Sequence, residues 1–128
     1  MKVKKSKIMV VDDESDQILS IKLFLEHFGE FEVISAESGI ECIDLLKKNI
    51  IPDLILMDIM MPKMSGWELF EQIKNNSKWK DIPVIVVTAV TGKDGVYSGK
   101  FVPDDYIEKP YDVEDLKKRV YNVLNKNR

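Results

Sequence analysis

The feature of this sequence that most constrains its fold is a regular alternation of two kinds of segment. Short runs rich in apolar and β-branched residues are separated by longer stretches with helical spacing. The runs predict five strands, at residues 7–11, 31–35, 53–57, 83–87 and, with a weaker pattern, 104–107. Because strands joined through helices form right-handed crossovers, this alternation predicts a parallel sheet with helices on both faces.

The helical stretches predict which side chains face that sheet. Apolar residues three or four apart form four inner stripes: Ile18, Ile21, Leu25 and Phe28; Ile40, Ile43 and Leu46; Trp67, Phe70 and Ile73; Val113, Leu116, Val120 and Leu124. Ser38 and Ser65 each precede a glutamate by three residues, as in a capping box, and Asp112 is placed to cap the last helix. A further helix, fourth in order, is expected within residues 90–103 and should be short or irregular, because three glycines and a proline weaken it. Five strands and five helices in alternation predict a flavodoxin-like (βα)5 fold with strand order 2-1-3-4-5.

Composition and charge exclude several functional classes. The chain carries 19 Lys+Arg and 22 Asp+Glu residues, a net charge of −3, whereas nucleic-acid-binding domains usually have a clear basic excess. We therefore expect no direct nucleic-acid binding. The single cysteine, Cys42, excludes an internal disulfide and a cysteine-based zinc site. His27 is the only histidine, which argues against a histidine-rich metal site and a histidine-dependent catalytic triad. No segment approaches the roughly 18 apolar residues of a membrane span, so we expect a cytoplasmic protein without membrane contact.

Three carboxylates follow the predicted first and third strands. Asp12 and Asp13 come directly after the first strand, and Asp58 comes after the third. In an open parallel sheet, ligands bind at the carboxyl ends of the strands where the strand order reverses, which here lies between these two strands. Carboxylates about 4 Å apart repel by about 4 kcal/mol at an effective dielectric constant of about 20, so a proton or a cation is expected among them. An all-oxygen ligand set with room for water suits Mg²⁺.

The next two strands end on groups that complement a phosphoryl group. Thr88 follows the fourth strand with a hydroxyl donor, and Lys109 follows the fifth with a long cationic side chain. A divalent ion and the lysine would neutralise a phosphoryl group, while one aspartate attacks it. Taken alone, an Asp-Asp pair is commonly a turn or a helix cap, and Asp13 could cap the first helix. The convergence of four strand ends favours the functional interpretation.

These strand-end motifs resemble the signature of the response-regulator receiver domain. The motifs are Asp12-Asp13, Asp58, Thr88-Ala89 and Lys109-Pro110, with the longer segments 58–66 and 105–110. The resemblance runs from residue 7 to about residue 124. It implies that residues 1–128 form a single receiver domain. The lysines near the start of the chain are interpreted as a solvated tail, so we expect residues 1–6 to be a short basic tail.

The resemblance implies a phosphoryl-accepting site that depends on Mg²⁺. Asp58 would take a phosphoryl group from a phosphohistidine of a histidine kinase or a histidine phosphotransfer protein. The protein ligands of the ion would be Asp12, Asp13, Asp58 and the backbone carbonyl of Met60. Apart from its own phosphorylation and dephosphorylation, such a domain would not be an enzyme.

The resemblance also implies a conformational switch. Lys109 would pair with Asp58 and then with the phosphoryl oxygen, and Thr88 would donate a hydrogen bond to the phosphoryl group. Tyr106 resembles the aromatic switch residue that turns inward when Thr88 moves. The face formed by the fourth helix, the fifth strand and the last helix would then control a downstream partner, which the sequence does not identify.

One segment departs from the family, and two alternatives stay open. Residues 101–103, Phe-Val-Pro, stand where the family usually has a Gly-Ala pair, and Lys109 follows Thr88 by 21 positions, a slightly compact spacing. The first alternative is a pseudo-receiver that binds partners without phosphorylation, although such proteins typically lose an acidic residue or the lysine. The second is a phosphatase with an aspartyl phosphate, which typically needs an Asp-x-Asp pair where this chain has Asp58 and Met60.

Overall fold

The apolar runs of the sequence pair side by side into one parallel sheet. The computed structural model describes residues 4–89 and 101–127 of the chain. The sheet consists of β1 (Ser6–Val11), β2 (Phe31–Ala36), β3 (Leu54–Asp58), β4 (Val84–Thr88) and β5 (Asp105–Glu108). Its order is β2-β1-β3-β4-β5, which confirms the predicted topology. The order reverses between β1 and β3, so these two strands end beside each other.

Four helices within the described residues cover the two faces of the sheet. They are α1 (Ser15–His27), α2 (Gly39–Lys47), α3 (Gly66–Lys74) and α4 (Val113–Lys126). Helices α1 and α4 pack on one face, and α2 and α3 pack on the other. Every residue of β3 and β4 is buried, as expected for strands covered on both faces. The additional helix predicted within residues 90–103 falls mostly on 90–100, outside the described residues, and 101–103 are not helical.

The predicted inner stripes are correct except at three positions. Ile40 is 53% exposed, because α2 turns Cys42 toward the core instead. Phe28 is 38% exposed, since it lies just beyond the end of α1, and Val113 is 37% exposed as the first residue of α4. Every other predicted stripe residue is buried, apart from Trp67, which is partly buried.

The predicted helix caps fix where three helices begin. The Ser38 hydroxyl accepts the backbone N–H of Glu41 at 3.0 Å, and the Ser65 hydroxyl accepts that of Glu68 at 3.2 Å. The Asp112 carboxylate caps α4 in the same way. None of the helices within the described part of the chain is long and apolar enough to cross a membrane.

Candidate functional site

Three carboxylates meet where β1 and β3 end. Asp58 is the last residue of β3, and Asp12 follows the last residue of β1. Both are buried, with 7% and 4% of their surface exposed, whereas Asp13 is exposed. One carboxylate oxygen from each of the three residues lies within 4.8 Å of the others. The structure therefore assembles the acidic cluster that the strand order predicts.

Local hydrogen bonds orient the two buried carboxylates. Oδ1 of Asp12 accepts the backbone N–H of Glu14 at 2.9 Å, and Oδ1 of Asp58 accepts that of Met60 at 3.2 Å. Each aspartate thus bonds to the chain two residues ahead, as in an Asx turn, and keeps Oδ2 for other partners. Helix α1 has no side-chain cap, so the alternative role of Asp13 as its cap is wrong.

Lys109 brings a cation to both buried carboxylates. Its Nζ lies 3.3 Å from Oδ2 of Asp58 and 3.5 Å from Oδ2 of Asp12, and 20% of its side chain is exposed. The backbone N–H of Lys109 donates to the carbonyl oxygen of Thr88 at 2.9 Å, which anchors the lysine beside the end of β4. The peptide bond between Lys109 and Pro110 is cis.

Burial and neighbouring charges shift the pKa values of two groups in this cluster. Burial raises the pKa of Asp12; the Glu14 N–H opposes the shift, and the Asp58 charge adds to it. Burial alone would lower the pKa of Lys109, but the two carboxylates beside it raise that pKa overall. The raised pKa of Lys109 reflects the two carboxylates that face one ammonium group. The raised pKa of Asp12, which comes mainly from burial, means that protons compete with a metal ion for this carboxylate.

The composition of the cluster fits Mg²⁺. The three converging side chains offer only carboxylate oxygens, the ligands that hard cations prefer. Asp13 is exposed on the solvent side, which leaves room for the water molecules that Mg²⁺ usually retains. A cavity of about 420 Å³ adjoins the site at Lys109 and is also lined by Gln17, Ala89, Pro110 and Tyr111.

Thr88 and Tyr106 lie on the same face of the sheet. Thr88 is buried opposite Glu108, and Tyr106 pairs with Val86. Because side chains alternate along a strand, Val86, Thr88 and Tyr106 all point toward the face that α2 and α3 cover. Tyr106 is 46% exposed there.

Sequence reasoning missed two contacts of the site. The ring of Tyr106 packs against Trp67, and the start of α3 lies directly on the end of β3 through Gly66. The glycine directly after a capping serine is a local signal of such a close approach. The ring contact joins residues 39 positions apart, and no periodic pattern indicates it.

The chain is similar to known proteins over nearly its whole length. Residues 8–121 match the response regulator receiver domain family. The chemotaxis protein CheY homolog of Campylobacter jejuni is 38% identical over 92% of this chain and 92% of its own length. CheY1 of Helicobacter pylori is 34% identical over 94% and 98%, respectively.

Solved structures give the same result. The CheY-like receiver domain protein of Methanospirillum hungatei has a TM-score of 0.82 at 34% identity, covering 98% of both chains. The receiver domain of a histidine kinase from Syntrophus aciditrophicus has a TM-score of 0.86 at 31% identity, covering 94% of this chain and 91% of its own. With its flavodoxin-like topology and its buried acidic cluster, the chain belongs to the response regulator receiver domain family.

Proposed function

We propose that this receiver domain is a Mg²⁺-dependent switch that is phosphorylated on Asp58. The observation that carries the proposal is the Asp58 carboxylate, which is buried at a strand end between the Lys109 ammonium and two further carboxylates. The donor would be a phosphohistidine of a histidine kinase or a histidine phosphotransfer protein. Receiver domains are signalling modules that act with such kinases and with downstream targets, and the target of this one is a protein yet to be identified.

The proposed transfer uses groups that already lie at the site. An Asp58 carboxylate oxygen attacks phosphorus, an O–P bond forms, and the P–N bond breaks with its electron pair going to the imidazole nitrogen of the donor. Lys109 then exchanges a carboxylate partner for a phosphoryl oxygen, so its charge offsets the added negative charge. Mg²⁺, when bound, would supply further positive charge to the transferring group.

Four groups are proposed to hold the ion. They are the carboxylates of Asp12, Asp13 and Asp58 and the backbone carbonyl of Met60. The two buried carboxylates are fixed by hydrogen bonds to their own backbone, which supports a preformed site. The transfer would be catalysed by Asp58, Thr88 and Lys109 themselves, and the chain would have no other enzymatic activity.

The proposed output lies on the β5 side of the sheet. Thr88 would donate a hydrogen bond to the phosphoryl group, and the space that it leaves would allow Tyr106 to turn inward. Phosphorylation would thus shift a conformational population that a partner protein reads. We further propose that this signalling occurs in the cytoplasm, within a single receiver domain, and without direct contact to nucleic acid or a membrane.

Intact-mass spectrometry with acetyl phosphate tests this function. The wild-type protein should gain the mass of one phosphoryl group when Mg²⁺ is present and none when it is chelated. Asp58→Asn should gain nothing, whereas Asp44→Asn, which changes an exposed aspartate of α2 in the same way, should behave as the wild type. A wild-type protein that binds Mg²⁺ yet gains no phosphoryl group would favour the pseudo-receiver alternative.

A further inference from the structure

A ring contact joins α3 to the proposed switch residue. The centroids of the Trp67 and Tyr106 rings are 6.4 Å apart with an interplanar angle of 60°, an edge-to-face arrangement. Trp67 also packs against Phe70 at 6.1 Å and against the core between the sheet and the helices α2 and α3. The indole of Trp67 is therefore held in place by core residues, and the half-exposed Tyr106 ring packs against it.

The position of Trp67 is fixed by the backbone of the proposed phosphorylation site. The N–H of Gly66 donates to the carbonyl oxygen of Ile59 at 2.9 Å. A Cβ on Gly66 would lie 2.7 Å from Cα of Ile59 and would also overlap the carbonyl oxygen of Asp58. The first turn of α3 thus lies directly on residues 58 and 59, and Trp67 is the next residue along.

The structure shows this contact with Tyr106 in a half-exposed orientation. The residue is 46% exposed, so a conformation that buries its ring would remove apolar surface from water. Packing against Trp67 offsets part of the free energy that burial would gain, because an edge-to-face aromatic pair stabilises its conformation beyond the effect of the area that it buries. A contact made in one state and lost in the other shifts the equilibrium between them.

We propose that Trp67 is a positioning residue that holds Tyr106 in its half-exposed orientation and thereby opposes activation, an inference that rests on the proposed phosphorylation switch. The ring contact would couple the site to β5 by a second route, in addition to the one through Thr88. This second route runs through Gly66 and the start of α3. Removing the indole makes the activated state more accessible.

Beryllofluoride binding tests this role without a partner protein. With Mg²⁺, beryllofluoride forms a complex with an aspartate that imitates its acyl phosphate, and fluorine NMR measures the bound fraction without using tryptophan as the probe. Trp67→Leu should bind beryllofluoride roughly two- to tenfold more tightly than the wild type, the range that corresponds to the strength of one aromatic pair. The control is Trp79→Phe, which changes the other tryptophan, located beyond the end of α3. This variant should bind beryllofluoride as tightly as the wild type.

A double-mutant cycle separates this role from a general loosening of the fold. If the two rings act through each other, Trp67→Leu and Tyr106→Leu together should tighten binding no more than the stronger single change. Effects that multiply, or a folded Trp67→Leu protein with wild-type affinity, would overturn the inference. A wild-type protein that neither binds beryllofluoride nor gains mass from acetyl phosphate would overturn the proposed function itself.

Tryptophan fluorescence quenching tests the same inference with Trp67 in place. It can therefore be used if Trp67→Leu does not fold. In the Trp79→Phe background, Trp67 is the only tryptophan. Its quenching by acrylamide should rise when beryllofluoride and Mg²⁺ are added, because Tyr106 moves away from the indole. The same rise in a Tyr106→Leu version would show that the quenching does not report the ring contact, and it would overturn the inference.

Discussion

At the scale of single residues, the site is governed by one cation shared between two buried carboxylates. Lys109 lies within 3.5 Å of oxygens from both Asp12 and Asp58 and offsets part of their repulsion. The same positive charge opposes a metal ion at the cluster. We therefore expect charge balance, rather than any single ligand, to set how readily the site accepts Mg²⁺.

Removing this charge should strengthen metal binding and weaken phosphoryl transfer. Unit charges about 4 Å apart interact by about 1 kcal/mol even in bulk water, so Lys109→Gln should bind Mg²⁺ about fivefold more tightly or better. The same variant should gain the phosphoryl group from acetyl phosphate more slowly. Calorimetric titration with Mg²⁺ measures the affinity, with Lys118→Gln, an exposed lysine of α4, as the matched control. Unchanged or weaker Mg²⁺ affinity would contradict this view of the charge balance.

A second single-residue effect is expected far from the site, at the edge strand β2. Oε2 of Glu26 accepts the backbone N–H of Val33 at 2.9 Å, and Oε1 lies 3.4 Å from Nζ of Lys22. The hydrogen bond from Val33 lowers the pKa of Glu26; burial opposes the shift, and Lys22 adds to it. Because the folded state favours the carboxylate, this stabilisation is present above the ordinary value of 4.5 and is lost as the pH falls through the lowered folded value.

The corresponding variant is Glu26→Gln. At neutral pH it should reduce the free energy of unfolding by about 1 kcal/mol. The difference from the wild type should shrink as urea unfolding is repeated at decreasing pH below 4.5. A difference that stays constant across that range would show that the carboxylate charge is not the source of the effect.

At the scale of helices and strands, the position of the site depends on how closely α3 approaches β3. Gly66 permits this approach, because a side chain at that position would overlap the backbone of residues 58 and 59. The cap on Ser65 and the close packing at Gly66 therefore place the first turn of α3, and with it Trp67, relative to the acidic cluster.

A comparison of two glycines tests this packing. Gly66→Ala should reduce the free energy of unfolding by about 1–3 kcal/mol, the usual cost of overpacking against backbone that cannot easily move. Gly29→Ala should cost about 1–2 kcal/mol for a different reason: its φ of +76° disfavours a side chain, although there is open space around it. Of the two, only Gly66→Ala should also change Mg²⁺ affinity, as measured by titration of each folded variant.

Much at this scale could be predicted from sequence. All five strands lie within about one residue of their predicted bounds, since β-branched runs between turn residues are a strong local signal. The errors at Phe28, Ile40 and Val113 occur at or near helix ends, where the chain leaves the regular spacing before the stripe is complete.

At the scale of the whole molecule, topology makes the acidic cluster predictable. Once the strand order is known, residues that end neighbouring parallel strands must meet, which is why Asp12 and Asp58 could be placed together before the structure was known. The contact of Trp67 with Tyr106 could not, because it depends on how a helix and an edge strand pack at long range.

If Asp58 is the phosphoryl acceptor, the acyl phosphate must form at position 58, and chemical reduction can locate it. Borohydride reduces an aspartyl phosphate to homoserine, so the protein would be treated with acetyl phosphate and Mg²⁺, reduced, digested and analysed by peptide mass spectrometry. We predict homoserine at position 58 and unmodified aspartate at positions 12 and 13. Homoserine at another aspartate, or none in a protein that binds Mg²⁺, would contradict the proposal that Asp58 accepts the phosphoryl group.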